Sequence, residues 1–308
     1  MRSMFFGCKK LTKIDLSKFE TKNVMNMTSM FNSCEELINL DLSNFDTTNV
    51  TEMIQLFYGC RNLTDINISS FNTKNITIME SMFYKCENLT HLDVSNFDTS
   101  NVTDMSLLFC ECKKLININL SNFNTQNVNT MYAMFDECEN INNLDLSNFD
   151  TKNVNNMSFM FHKCLKLTNI NLSNFDTKNV TQMKSMFSRC DSLFNINLSN
   201  FDTQNVEDIS QMFYGCQNLI ELNLSNFNTK KVINMNCLFF NCYSLNYLNI
   251  SNFSIEKVSE MNFTFYGCIN LHNIKTSFID VDIVPGKIKM FYNCVNLPKK
   301  DFLYFNLK

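Results

Sequence analysis

Apolar and polar positions along this chain return to themselves every 26 residues. Cysteine marks the period most clearly, at Cys8, Cys34, Cys60, Cys86, Cys112, Cys138, Cys164, Cys190, Cys216, Cys242, Cys268 and Cys294. Only Cys110 and Cys237 fall outside this column. A Phe stands three residues before each of the twelve, from Phe5 to Phe291, and a Leu three residues after, with Ile141 as the exception. A fixed period of this size marks a stacked array, because a unit so short cannot bury an apolar face by itself.

The unit Leu165–Cys190 divides into two halves. In the first, Leu167, Ile170, Leu172 and Phe175 are apolar, and Ile170-x-Leu172 alternates as a short strand does. In the second, Val180, Met183, Met186, Phe187 and Cys190 fall at spacings that fit one stripe of a two- to three-turn helix. Asn179 is placed to cap that helix, and Glu52, Asp104, Gln182, Asp208 and Glu260 recur where a capping box would put them. Gly7, Gly59, Gly215 and Gly267 precede the Cys at the expected helix end. Lys85 and Arg189 share that column, so a left-handed backbone is not expected to be obligatory there. The predicted fold is α/β: a right-handed leucine-rich-repeat-like solenoid of about 11 coils, each with one short parallel strand and one short helix.

The full unit L-x-x-[IL]-[DN]-L-S-N-F-[DN]-T-x-N-V-x-x-M-x-x-M-F-x-x-C resembles the BspA-like leucine-rich repeat family, the 26-residue repeat of bacterial surface proteins. The resemblance covers about residues 1–275. It implies a non-enzymatic surface or secreted protein that binds other macromolecules, often in adhesion.

The expected organisation is one solenoid domain over 1–308. Regular repeats would occupy 1–276, starting mid-repeat, and 277–308 would form a degenerate last repeat and cap. The register decays after Thr276: Ile279 falls where the Phe175 column expects Phe, Phe278 is one residue early, and Pro285-Gly286 interrupts the next half-repeat. Met4 and Phe5 in the first coil would face water, which suggests end-to-end self-association through that coil. Most of the 30 Phe and 19 Met fall into columns expected to form the core, not a cofactor site.

Composition adds exclusions. The chain is 45% hydrophobic and 18% charged, as core-forming chains are, and its net charge of −4 argues against a basic nucleic-acid surface. No apolar run is long enough for a membrane span, and the first residues do not read as a signal peptide. The family resemblance implies cell surface or secretion, while a column of reduced thiols also fits an intracellular site. Cysteines 26 residues apart do not match metal-ligand spacing, so no metal or other cofactor is expected. Asp41, Asp93 and Asp145 with Asp46, Asp98 and Asp150 are the one calcium alternative, without a glycine-rich signature. His91, His162 and His272 sit in three different columns and no nucleophile, P-loop or zinc-protease motif occurs, so catalysis is not expected.

Binding specificity should reside where columns vary. On the strand face one column reads Lys13, Asn39, Asp65, His91, Asn117, Asn143, Asn169, Asn195, Glu221, Tyr247 and Asn273. Lys13, Asp65, His91, Glu221 and Tyr247 are its distinctive members. A second variable column carries Tyr58, Tyr84, Tyr214 and Tyr266, with aromatics toward both ends of the chain and none in the middle. Two functions follow. One is a protein or cell-surface macromolecule binder that uses the strand face or this aromatic rim. The other is a structural spacer or self-assembling element with no dedicated ligand.

Overall fold

The computed structural model describes residues 1–277 and 283–298. Ile279, Phe278 and the expected cap over 301–308 lie outside the described residues. Seven short strands recur at the predicted half-repeat: β1 Asn39–Asp41, β2 Asp65–Asn67, β3 Asn143–Leu144, β4 Asn169–Ile170, β5 Glu221–Asn223, β6 Tyr247–Ile250 and β7 Asn273–Thr276. They pair in parallel, β1 with β2, β3 with β4, β5 with β6 and β6 with β7. Each partner is 26 residues away, as in Leu40↔Ile66 and Leu222↔Leu248. Sequence equivalents therefore lie directly over one another.

No α-helix occurs among the described residues, which corrects the expected second half-repeat. From Val180 to Cys190 the amides alternate between two uses. Those of Met183, Ser185, Phe187 and Arg189 donate to the next coil, to the carbonyls of Asp208, Ser210, Met212 and Tyr214, at 2.7–3.0 Å. Those of Met186, Ser188 and Cys190 close four-residue β-turns onto Met183, Ser185 and Phe187. Parallel strands fix neighbouring coils at about 4.8 Å on one side. Side-by-side helices need about 8–10 Å on the other. A stack of linked turns matches the strand spacing on both sides and pairs every amide from Ser185 to Cys190.

The turns require two left-handed residues per coil, four apart. One column runs from Ser3 through Ser185 (φ 54°) to Lys289, and the other from Gly7 through Arg189 (φ 59°) to Asn293. Each follows the middle of a turn, where φ above zero is needed. The residue before the Cys is thus left-handed in every coil, in Lys85, Glu111, Glu137, Lys163 and Arg189 as well as in glycine. That corrects the expectation that the conformation was dispensable there. Gly215 and Gly267 meet a second demand: a Cβ would fall 2.5 Å from Arg189 Cδ and 2.2 Å from Asn241 Oδ1 of the preceding coil.

The capping residues have other duties. Asn179 Nδ2 donates to the Lys152 carbonyl of the coil before (2.7 Å), and Asn49, Asn75, Asn101, Asn127, Asn153 and Asn205 do likewise. The expected capping-box column instead forms parallel bridges, such as Gln182↔Asp208 and Asp208↔Asn234. The solenoid amounts to about nine turns against the 11 or so expected. The bridge ladder starts only at Asn26 and ends at Gly286, and the end coils are incompletely laddered.

One continuous core fills the interior. Phe31 to Phe291 stack ring over ring at 4.7–5.9 Å. The core is not purely apolar. Nine buried threonines, Thr21 to Thr229, each donate Oγ1–H to a carbonyl 25 residues on and accept that same residue's amide. Thr125 does so with Asp150, at 2.9 and 2.8 Å. The column ends where Ile255 replaces Thr. Each hydroxyl is satisfied twice, so its burial costs little.

The Cys column is explained by the same rule, and not by a helix end. Each thiol from Cys34 to Cys294 donates to the carbonyl of the Phe 29 residues earlier, as Cys60 does to Phe31 (3.2 Å) and Cys112 to Phe83 (3.2 Å). Burial pushes these thiols up, Cys34 to about 11 and both Cys112 and Cys216 to about 12. Cys8, in the first coil, is exposed.

Candidate functional site

Two surfaces hold the residues singled out from sequence. On the strand face, Asp65 opens β2, Glu221 opens β5 and Tyr247 opens β6. Pleating turns them away from buried Leu222 and Leu248, so Asp65 and Glu221 are exposed and Tyr247 half-buried. Lys13 and His91 are exposed in the same column but outside any named strand. His91 Nδ1 lies 3.0 Å from Thr90 Oγ1. Glu221, Tyr247 and Asn273 are direct cross-strand partners, and Lys275 Nζ sits 5.7 Å from the Tyr247 ring centre. Lys13, Asp65 and His91 occupy the opposite end of the column, so the face is a line of separate positions and not one pocket.

The neighbouring columns are fixed by turn chemistry. Asp15, Asp41, Asp93 and Asp145 each accept the amide two residues on, as Asp41 does from Ser43 (3.0 Å). Hydrogen bonds from those serines hold the four carboxyls below the usual range. The calcium alternative gains no support. No group of three or more potential metal ligands comes together among the described residues. The asparagines of Ser-Asn-Phe reach back one coil: Asn200 Nδ2 bonds Leu172 O (2.9 Å) and Phe175 O (2.7 Å). The asparagine excess is thus placed work, bracketing each coil to the one before.

One apolar line on this face was missed. Ile38, Ile116, Phe194 and Ile220 are all exposed and share the column next to Lys13. Aligning the repeats would have shown it, since that column otherwise holds Thr, Asn and His. Ile220 also lines a groove of about 620 Å³ with Ser244, Asn246, Asn270, His272 and Asn296.

The second surface is the rim beside the Cys column. Tyr58, Tyr84, Tyr214 and Tyr266 are each half-buried and stack along the axis. Tyr58 and Tyr84 have ring centroids 4.6 Å apart. Tyr214, Phe240, Tyr266 and Tyr292 follow at 4.8, 4.7 and 5.1 Å. Between these stacks the rim is charged. Lys113 lies 3.7–3.9 Å from Glu87, Glu111 and Glu137, Arg61 pairs with Glu87, and Lys163 with Glu137. Burial opposes ionisation of Glu137, yet the Lys163 hydrogen bond and the nearby cations hold its carboxyl below the usual range. His162 Nδ1 lies 2.6 Å from Asp136 Oδ1. Tyr84 OH donates to Glu111 (2.9 Å), and burial with that bond pushes the phenol well up.

Comparison with known proteins follows this geometry. No curated protein is similar to the chain in sequence. Among solved structures it is similar to a leucine-rich repeat protein from Bacteroides ovatus, 18% identical, with 89% of this chain and 69% of that one covered at a TM-score of 0.50. A leucine-rich repeat protein from Eubacterium ventriosum is 16% identical over 89% of this chain and 75% of that one, with a TM-score of 0.41. A leucine-rich cell surface protein from Faecalibacterium prausnitzii is 16% identical over 81% and 76%, with a TM-score of 0.35. The model of the family described as "Mycoplasma protein of unknown function, DUF285" matches residues 1–92, 79–195 and 191–302 in tandem. The chain belongs to that family, and its stacked 26-residue units have the leucine-rich-repeat fold.

Proposed function

We propose that this protein is a non-enzymatic interaction module that takes a protein or cell-surface macromolecule on its strand face. Leucine-rich-repeat solenoids commonly serve protein–protein interaction, which supports the general class. One observation carries the finer reading. The Lys13 column varies in charge and size from coil to coil, stands open to solvent, and runs beside columns fixed by turn and bracket hydrogen bonds. Variation along an exposed line is what selectivity needs and what stacking does not. The exposed Ile38, Ile116, Phe194 and Ile220 supply apolar area beside it. The whole of 1–308, with 277–308 as its closing part, is read as one such module.

The test is capture of a partner by the intact chain and by a His91→Ala, Glu221→Ala, Tyr247→Ala variant. His91 and Glu221 are exposed and Tyr247 is half-buried, all outside the core, so folding should be unaffected. Loss of a partner that a Tyr58→Ala variant retains supports the reading. Equal retention by both variants removes the strand face as the binding surface and leaves the spacer.

A further inference from the structure

The rim from Tyr214 to Val295 carries four rings in consecutive coils and no formal charge in the three columns flanking the cysteines. Those columns hold Tyr214, Phe240, Tyr266 and Tyr292, then Gly215, Asn241, Gly267 and Asn293, then Gln217, Tyr243, Ile269 and Val295. They form one surface, because in the middle of the chain their equivalents touch: Lys113 reaches Glu111, and Tyr84 reaches Glu111. Tyr243, Tyr292 and Val295 are exposed at 37%, 56% and 70%. Charge borders the patch only at its two ends: Asp191 accepts from Gln217 Nε2 (3.4 Å) and Arg189 lies against Gly215 at one, and Lys289 Nζ lies 5.5 Å from the Tyr292 ring centre at the other.

The geometry restricts what this surface can hold. The rings are nearly parallel, at 5°, 4° and 15° between neighbours, and Phe263 meets Phe240 and Tyr266 edge-on. Each inner ring has both faces covered by the coils above and below. A sugar or a nucleobase needs an open ring face, so stacking ligands do not fit. What faces solvent is a row of ring edges repeating every 4.7–5.1 Å. A charged partner would lose hydration along the Phe240–Tyr266 stretch and find no counter-charge in the three columns there. A partner that meets every ring in register must itself repeat at the coil spacing, and a second copy of this chain does so by construction. Placed about a two-fold axis, the patch meets itself without like charges, and ladder packs on ladder as dry side-chain zippers do.

We propose that the Tyr214–Phe240–Tyr266–Tyr292 ladder is a self-association surface that pairs two copies of this chain through its uncharged rim. It is distinct from the strand face, and neither proposal depends on the other. The probe is the chain itself, followed by sedimentation velocity from about 1 to about 200 micromolar. The wild type should shift from monomer to dimer across this range, with little change on adding salt, since no charges are paired. Tyr243→Glu, at an exposed ring, should weaken dimerisation by about tenfold or more. Phe240→Glu should do so more strongly, and Tyr58→Glu, on the other stack, should leave it unchanged. Matched thermal midpoints of Tyr243→Glu and wild type separate lost pairing from lost folding. A monomer at every concentration overturns the proposal. So does a dimer indifferent to Tyr243→Glu, or a different macromolecule that competes for the ladder and leaves the chain monomeric when removed.

Discussion

Between Lys85 and Asp191 the rim is held together by charge, and between Tyr214 and Tyr292 by stacked rings, on one unchanged backbone. In the charged stretch, left-handed positions are filled by Lys85, Glu111, Glu137, Lys163 and Arg189. A side chain in that conformation costs on the order of 1 kcal/mol, and each of these reaches a partner in its own or an adjacent coil. In the aromatic stretch, glycine takes Gly215 and Gly267, and the ring one position earlier does the stacking instead. The interior beneath is the same in both. The stack therefore derives its stability from interior columns, while the rim is free to diverge.

That comparison can be broken from the inside. The largest effect should come from alkaline pH, which strikes every coil at once. The buried thiols are held above their ordinary value, Cys34 to about 11 and Cys112 and Cys216 to about 12. Raised native values mean that the unfolded chain gives up protons first. Stability is full below about pH 8.5 and falls as pH rises toward the native values. Thermal midpoints measured across that window should drop steeply, and a flat profile would mean that the thiols are not buried donors.

Next come the rings. Phe161→Ala beneath the charged rim and Phe239→Ala beneath the aromatic rim should each cost about 3–5 kcal/mol by urea denaturation. Both are fully buried between ring neighbours 5.5–5.9 Å away. Unequal losses would show that the rim contributes to the core. Thr125→Val and Thr203→Val should each lose about 1–3 kcal/mol, because the valine leaves one amide and one carbonyl, those of Asp150 or of Asn228, without a bond. A Ser in either place should restore most of it.

The smallest effect sharpens the contrast. Lys113→Ala should cost no more than about 1 kcal/mol, and added salt should shrink the difference from wild type. The three carboxylates around Lys113 lie at 3.7–3.9 Å, loose for ion pairs. Tyr266→Leu, in the uncharged rim, should show no such salt dependence.

Much of the architecture was legible in the chain. Columns at Cys60, Cys86 and Cys112 set the register, which came out as expected, and Ile170-x-Leu172 marked the strand half, where seven named strands form among the described residues and β4 closes at Ile170. The helix did not, because Val180, Met183, Met186, Phe187 and Cys190 point inward equally well from a helix or from linked turns. Apolar spacing reports which side chains face the core and is silent on where the amides go. The left-handed positions were hidden because Arg189 and Glu137 are not residues that advertise that backbone. Repetition of Thr and Asn signalled structural duty, but the partners, 25 to 28 residues away, could be named only once the stacking was in hand. On the strand face, the exposure of Asp65, Glu221 and Tyr247 followed from strand alternation. The apolar line through Phe194 and Ile220 needed the repeats to be compared column by column.

The central claim is that amides in the second half of each repeat bond across coils. Scalar coupling through hydrogen bonds, measured by NMR on labelled protein, reads this directly. The account predicts coupling from the Phe187 amide nitrogen to the Met212 carbonyl carbon, and from Ser185 to Ser210. Coupling from Phe187 to the carbonyl of Met183, four residues back as a helix requires, would contradict it.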